Sequence, residues 1–343
     1  MTSPSRRNFL RFSAAGLGAL AAPAVIGQPS LTKIRFTLDF RVTGQVAPFF
    51  LALGKGYYRE EGLEVSFDVG SGSVASITRV ASGAYDMGFG DLNSLMEFTA
   101  QNNGVPQVQA VYQYYNRAPF AIIGRRDRGI SDFKSLAGKN IAAAAVESTK
   151  RAWPIAARHL GMPANSLNWI TTDFSARDNV VVRGDVDGAT YFHDSALSLF
   201  QRMKPAELAV LPFADSGVVL YGNAVLAASK LVAENPKAVA GFVRATNRAL
   251  LECLADPAPG VAFVKQREGL LDEATEVERF RITAQYIATA ESRANGIGDV
   301  VAGNLQQQID EVTEVFGLKL RPKADAVWNP AFLPAKAQRM ARG

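Results

Sequence analysis

The stretch from Thr37 to Phe67 constrains the chain more than any other, because it reads as strand, polar loop, helix, turn and strand in succession. Ile34, Phe36 and Leu38 alternate at a period of two, the mark of a half-buried strand. The polar loop 39–45, DFRVTGQ, follows. Val46, Phe50, Leu53 and Tyr57 then recur at helical spacing. Pro48 is tolerated there because it falls in the first turn, where backbone donors lack partners anyway. Gly56 and Gly62 punctuate the exit, and Leu63, Val65, Phe67 and Val69 alternate again. A β-α-β unit of this length sets its polar loop at the carboxyl end of the first strand, where small ligands bind in open α/β sheets.

The same alternation of strand and helix continues. The turn 70–73, GSGS, leads into a helix with Val74, Ile77 and Val80 on one face; 85–90 reads as a strand, 95–100 as a helix and 108–115 as a strand. That order predicts a mainly parallel sheet covered by helices. Asn116 to Pro119 breaks the pattern. A second α/β block follows, with a short capped helix over 131–138, a strand at 140–145, a helix from Glu147 towards Leu160, strands at 169–171 and 188–191 around a helix near Ala176–Val182, and a strand at 208–211. Return strands are predicted at 218–221 and 225–228, then helices over 237–254, 261–268, 273–290 and 300–316. Past Leu320, prolines predict a tail laid on the surface. The expected organisation is a first lobe over 30–116, a second over 117–216, a mostly helical return to the first over 217–320, and a tail over 321–343. The fold class is α/β: doubly wound sheets in two lobes with a cleft between them.

Residues 1–29 read differently. SRRNFLR at 5–11 precedes a mildly apolar, Ala- and Gly-rich run, which is the pattern of a twin-arginine export signal, with Ala22-Pro23-Ala24 as a small-residue cleavage site. The run is short of the ~20 apolar residues that span a membrane. Removing Arg6, Arg7 and Arg11 lowers the formal charge of +5 by three, so the basic balance does not point to nucleic acid. Cys253, the single cysteine, can form no internal disulfide and falls on a helical pattern, where core packing accounts for it.

The motifs carry a resemblance. "LDF…TGQVAPFFLALGKGYYREEGLEVSF" followed by "VGSGSVASITRVASGAYDMGFGD" is similar to the opening of the substrate-binding proteins of ABC importers, in the thiamine-pyrimidine-precursor (NMT1/THI5-like) and nitrate/taurine (SsuA-like) family. The similarity runs from about Lys33 to Gly317 and is most specific in the first lobe. It implies a type II periplasmic-binding-protein fold, a small-molecule ligand, an ABC permease as partner, a periplasmic location and a monomer, with no cofactor, metal or catalytic group.

The site candidates sit at strand ends and at the two crossings between lobes. Asp39 can offer a carboxylate to an amino or ring N–H and Phe40 a stacking ring, with Thr43 and Gln45 adding neutral hydrogen-bonding groups. Helix capping explains Asp39 equally well, and the resemblance tips it towards ligand. Asp91 and Asn93 open a helix at the cleft edge and are equally caps or contacts. Glu147, Ser148 and Thr149 open a helix in the second lobe, where hydroxyls and free backbone donors suit an anionic or polar group. Glu147 opposes a strong anion unless its side chain turns away. Tyr191 and His193 come at the end of a strand in the second lobe. A lone histidine is more often structural, and the resembling family contributes an aromatic or polar contact in this region, so His193 is equally a structural group or a ligand contact. Tyr115 and Asn116 mark one crossing, Tyr221 and Asn223 the other; they wall the cleft or simply pack the hinge.

The function these features imply is a solute receptor that captures a small planar or anionic organic molecule by closing its lobes and delivers it to an importer. Two rivals remain open at this point: a ligand-sensing partner of a membrane receptor, and an enzyme. The fungal pyrimidine-precursor synthases share the fold and use a histidine, a lysine-bound cofactor and a cysteine-rich motif. This chain has no such run of cysteines.

Overall fold

The computed structural model describes residues 31–341; the export-signal reading lies outside them. Ten strands are found among the described residues: β1 (Thr32–Thr37), β2 (Leu63–Asp68), β3 (Met87–Asp91), β4 (Val108–Gln113), β5 (Phe120–Arg125), β6 (Asn140–Ala143), β7 (Asn168–Thr171), β8 (Gly188–Phe192), β9 (Leu208–Pro212) and β10 (Asn223–Ala228). They form two five-stranded sheets, in the orders β2-β1-β3-β10-β4 and β7-β6-β8-β5-β9. β1 lies parallel to both β2 and β3, and β10 is antiparallel to β3 and β4. The second sheet repeats that plan: β6 is parallel to β7 and β8, and β5 antiparallel to β8 and β9. Helices cover both sheets, and a cleft separates the two lobes.

Burial explains the strand patterns. β2 alternates, with Leu63, Val65 and Phe67 inward and their neighbours in solvent, as a strand at a sheet edge with one covered face should. β3 and β10 are central, and every residue of β3 is buried, so alternation disappears there. The first core joins Phe36 to Phe242 of the helix Pro236–Ala255, the two rings stacked 5.1 Å apart. Cys253 of the same helix is buried in that core.

Several local expectations changed. The stripe Val46, Phe50, Leu53, Tyr57 is not one helix: a 3-10 turn, Gly44–Val46, leads into Ala47–Gly54, and Gly56 at φ 77° breaks the chain before Tyr57–Glu60. Residues 47–52 are all buried while Leu53 is 40% exposed, because neighbouring helices cover this helix on more than one side. The segment 131–138 holds only a 3-10 turn, Lys134–Leu136, tied by the hydrogen bond from the Ser135 amide to Asp132. The helix over 273–290 stops at Ile287, and Thr289 caps a new one, Ala290–Asn295. Residues 218–221 form no strand. Ala118 instead donates to the Leu220 carbonyl at 2.7 Å, the Tyr221 backbone pairs with the Gln308 side chain, and the next residue, Gly222, donates to the Tyr115 carbonyl at 3.0 Å. The segment past Leu320 is more than a surface tail, since Val327, Trp328, Phe332 and Arg339 are buried and Trp328 bridges to Ala110 of β4. Its short apolar clusters between prolines fill gaps that only the folded sheet edge creates.

Candidate functional site

The cleft closes on a cavity of about 50 Å³, several times the ~10–15 Å³ that one water needs. One wall comes from the loop after β1 and the turn after β2: Asp39, Phe40, Gln45, Gly72 and Ser73. The other comes from the second lobe: Glu147, Ser148, Thr149, Phe174, Arg177, Phe192 and Ser195.

Asp39 follows β1 by two residues and is 5% exposed. It caps no helix. Its Oδ2 accepts 2.6 Å from Nδ2 of Asn223, the first residue of β10, and its Oδ1 is buried with no partner among the described residues. Burial pushes the carboxyl up to about 7; the hydrogen bond from Asn223 opposes the rise, and the nearby Asp194 and Asp91 add to it. The glycine turn holds this loop closed. Gly72 donates to the Asp39 carbonyl at 2.6 Å, and a Cβ on Gly70 would come within 2.0 Å of the Leu38 carbonyl oxygen, so only glycine allows the approach. Phe40 reaches across the cleft to Phe174, ring centroids 5.3 Å apart in an edge-on arrangement.

On the facing wall, the helix Ser148–His159 begins with no side-chain cap. Glu147 has turned away from it: Oε2 accepts the Ala144 amide at 2.7 Å and lies 3.7 Å from Nη1 of Arg177. Burial raises the Glu147 carboxyl, and Arg177 opposes that rise. Arg177 is 5% exposed, with its guanidinium carbon 4.1 Å from the Tyr191 ring centroid and 5.2 Å from that of Phe174. Its Nε is buried with no partner among the described residues. The Oγ atoms of Ser148 and Ser94 lie 3.1 Å apart, joining the walls. Thr149 points its hydroxyl to the Tyr191 carbonyl.

Six of the residues singled out in the sequence therefore line the cavity: Asp39, Phe40, Gln45, Glu147, Ser148 and Thr149. The others stand beside or behind it. Thr43 lines an adjoining depression with Arg41 and Ser198. Asp91 caps the helix Leu92–Gln101 by accepting the Ser94 amide at 2.9 Å, and burial raises its carboxyl to about 6. Asn93 donates to Asp91 and accepts from Gln308. Tyr115 donates to Asp194 at 2.6 Å, and Asn116 to Glu291 at 3.1 Å. Tyr191 donates to Asp178, and Tyr221 to Glu291. His193 pairs with the Tyr286 hydroxyl at 2.8 Å, and burial lowers its basicity. Asn223 reaches the site through Asp39 alone.

Sequence reasoning missed Gly72, Ser73, Phe174, Arg177, Phe192 and Ser195. One signal was present for Arg177: it opens the helix Arg177–Arg183, where a cation opposes the helix dipole. A residue that breaks a local rule often serves a site.

The comparisons agree with this architecture. Over 313 residues, 87% of this chain and 79% of the other, the sequence is 26% identical to the riboflavin-binding protein RibY of Chloroflexus aurantiacus. It is 27% identical over 242 residues, 67% of this chain and 69% of the other, to the 4-amino-5-hydroxymethyl-2-methylpyrimidine phosphate synthase of Aspergillus parasiticus. The periplasmic aliphatic sulphonate binding protein SsuA of Escherichia coli superposes with a TM-score of 0.68 at 14% identity, covering 90% of this chain and 95% of its own. Residues 43–259 match the model of the family described as NMT1/THI5 like, more than half the chain, and the chain belongs to that family.

Proposed function

We propose that the chain is an exported, monomeric solute receptor that closes two lobes on a small planar or anionic organic molecule and hands it to the permease of an ABC importer. The observation that carries this reading is the cavity itself: a space lined by charged, hydroxyl and aromatic side chains and held between two lobes joined by two hydrogen-bonded crossings. A ligand that touches both walls binds the closed form better and so shifts the lobes towards it. The division of the chain at 116/117 and 216/217, with hinging near Asn116 and Gly217, belongs to this reading, as does export through the 1–29 signal.

The relatives support it unevenly: RibY and SsuA are binding proteins, and the fungal relatives are synthases. The residues that line this cavity include no lysine, histidine or cysteine, the groups that the fungal enzymes use for chemistry. That favours the receptor over the enzyme.

The test is a thermal-shift screen of the mature protein against aromatic heterocycles, carboxylates and sulfonates, followed by small-angle scattering with each hit. A ligand at a hundredfold excess over its Kd adds about 2.7 kcal/mol of stability. Saturating ligand should also reduce the radius of gyration if the free lobes open. Turnover of a hit, or a stable Schiff-base absorbance with pyridoxal phosphate, would move the assignment to the enzyme.

A further inference from the structure

We propose that this cleft is built for a bipolar aromatic ligand, one that gives an N–H donor to Asp39 at one end and an acceptor oxygen to Arg177 at the other. The proposal rests on the receptor reading above and names the class of molecule that receptor takes.

Two unpartnered polar atoms carry it. Asp39 and Arg177 line the same cavity from opposite walls, and each carries a buried polar atom, Oδ1 and Nε, without a hydrogen-bond partner among the described residues. Buried polar atoms are nearly always paired, so an orphan in each of two facing walls points to a missing molecule. A guanidinium cannot escape by losing its proton, whereas a carboxyl can. Arg177 therefore needs an acceptor for as long as it stays buried. Glu147 does not fill that need: at 3.7 Å it lies beyond hydrogen-bond range, and its Oε2 already takes the Ala144 amide.

The charges decide which molecule fits. Glu147 offsets Arg177 on the second wall, and Asp39 faces them from the first. A bare inorganic anion would meet a wall whose charge is already balanced and a carboxyl opposite. A bare amine would satisfy Asp39 and leave the Nε of Arg177 without a partner. A ligand with both ends satisfies both orphans, and the uncapped start of Ser148–His159 adds backbone donors beside its acceptor oxygen. The rings of Phe40, Phe174 and Phe192 line the space between, which suits a flat apolar middle.

The experiment is isothermal calorimetry on the mature protein with five probes: 3-aminobenzoate, 4-aminobenzoate, benzoate, aniline and nitrate. At least one aminobenzoate should bind about tenfold or more tightly than benzoate, aniline or nitrate, the factor expected for one hydrogen bond to a charged group. Arg177→Gln should remove its advantage over aniline. Asp39→Asn should remove its advantage over benzoate. The probe series on the unmodified protein decides the matter even if either variant fails to fold. Benzoate or nitrate binding as tightly as the aminobenzoates would overturn the proposal, as would an Arg177→Gln protein that keeps full affinity for the carboxylate probes. If no probe binds at millimolar concentration, the bipolar class is wrong. The broader thermal-shift screen then judges the receptor reading separately.

Discussion

Replacing Asp39 by asparagine isolates the free energy that the fold spends on one buried carboxyl. In the unfolded chain this group has its ordinary value of 3.8; in the folded protein burial raises it to about 7. Between those values the folded state holds the proton more tightly than the unfolded state does. The contribution to stability is complete below the unfolded value and is lost as pH rises towards 7. At ~1.36 kcal/mol for each tenfold change in acidity, ionising Asp39 costs the fold on the order of 4 kcal/mol at pH 8 and about 1.7 kcal/mol at pH 5. Asparagine has nearly the same shape and no charge to bury. Urea unfolding of the ligand-free protein should therefore show Asp39→Asn gaining roughly 2–3 kcal/mol on the unmodified protein between pH 5 and pH 8. Any constant offset from re-aiming the amide at Asn223 cancels in that difference. Asp91, Asp194 and Glu147 are also raised by burial, but they titrate in both proteins. Stability profiles that run parallel from pH 5 to pH 8 would refute the assignment of a raised, buried carboxyl to this position.

Two further outcomes follow from packing. Gly44→Ala should destabilise the protein by about 1–3 kcal/mol in urea unfolding, because the new Cβ would come within 2.1 Å of the Glu276 backbone oxygen. Unchanged stability would mean that the contact between the Gly44–Val46 turn and the helix Glu273–Ile287 yields easily. Cys253 should resist a thiol-modifying reagent in the native protein and react on unfolding, since it is fully buried and burial pushes its thiol well above the usual range. Rapid native labelling would show that the core around Phe242 opens.

The sequence by itself determined what depends on near neighbours. Alternation in β1 and β2, the loop between β1 and its helix, and the glycine turn at 70–73 are local patterns, so the first wall and Asp39 could be placed before any tertiary information. The start of the helix Ser148–His159 was legible for the same reason, because strand, polar residues and helical period follow one another directly. Whether Asp39 caps a helix or serves a ligand was not legible. That depends on Asn223, 184 residues away, which takes one carboxylate oxygen and leaves the other free. Glu147 likewise turned from the helix only because Ala144 and Arg177 offered it partners. Residues 218–221 have strand-like composition, yet the Leu220 carbonyl takes the Ala118 amide at the crossing and the Tyr221 backbone pairs with the Gln308 side chain, so no ladder forms. The helix that Arg177 opens was legible, but nothing along the chain shows that Phe174 and Arg177 face Asp39, and they become a wall only when the second lobe meets the first. A cavity is made of residues brought together across the chain, and spacing along the chain carries no record of which two walls will face each other.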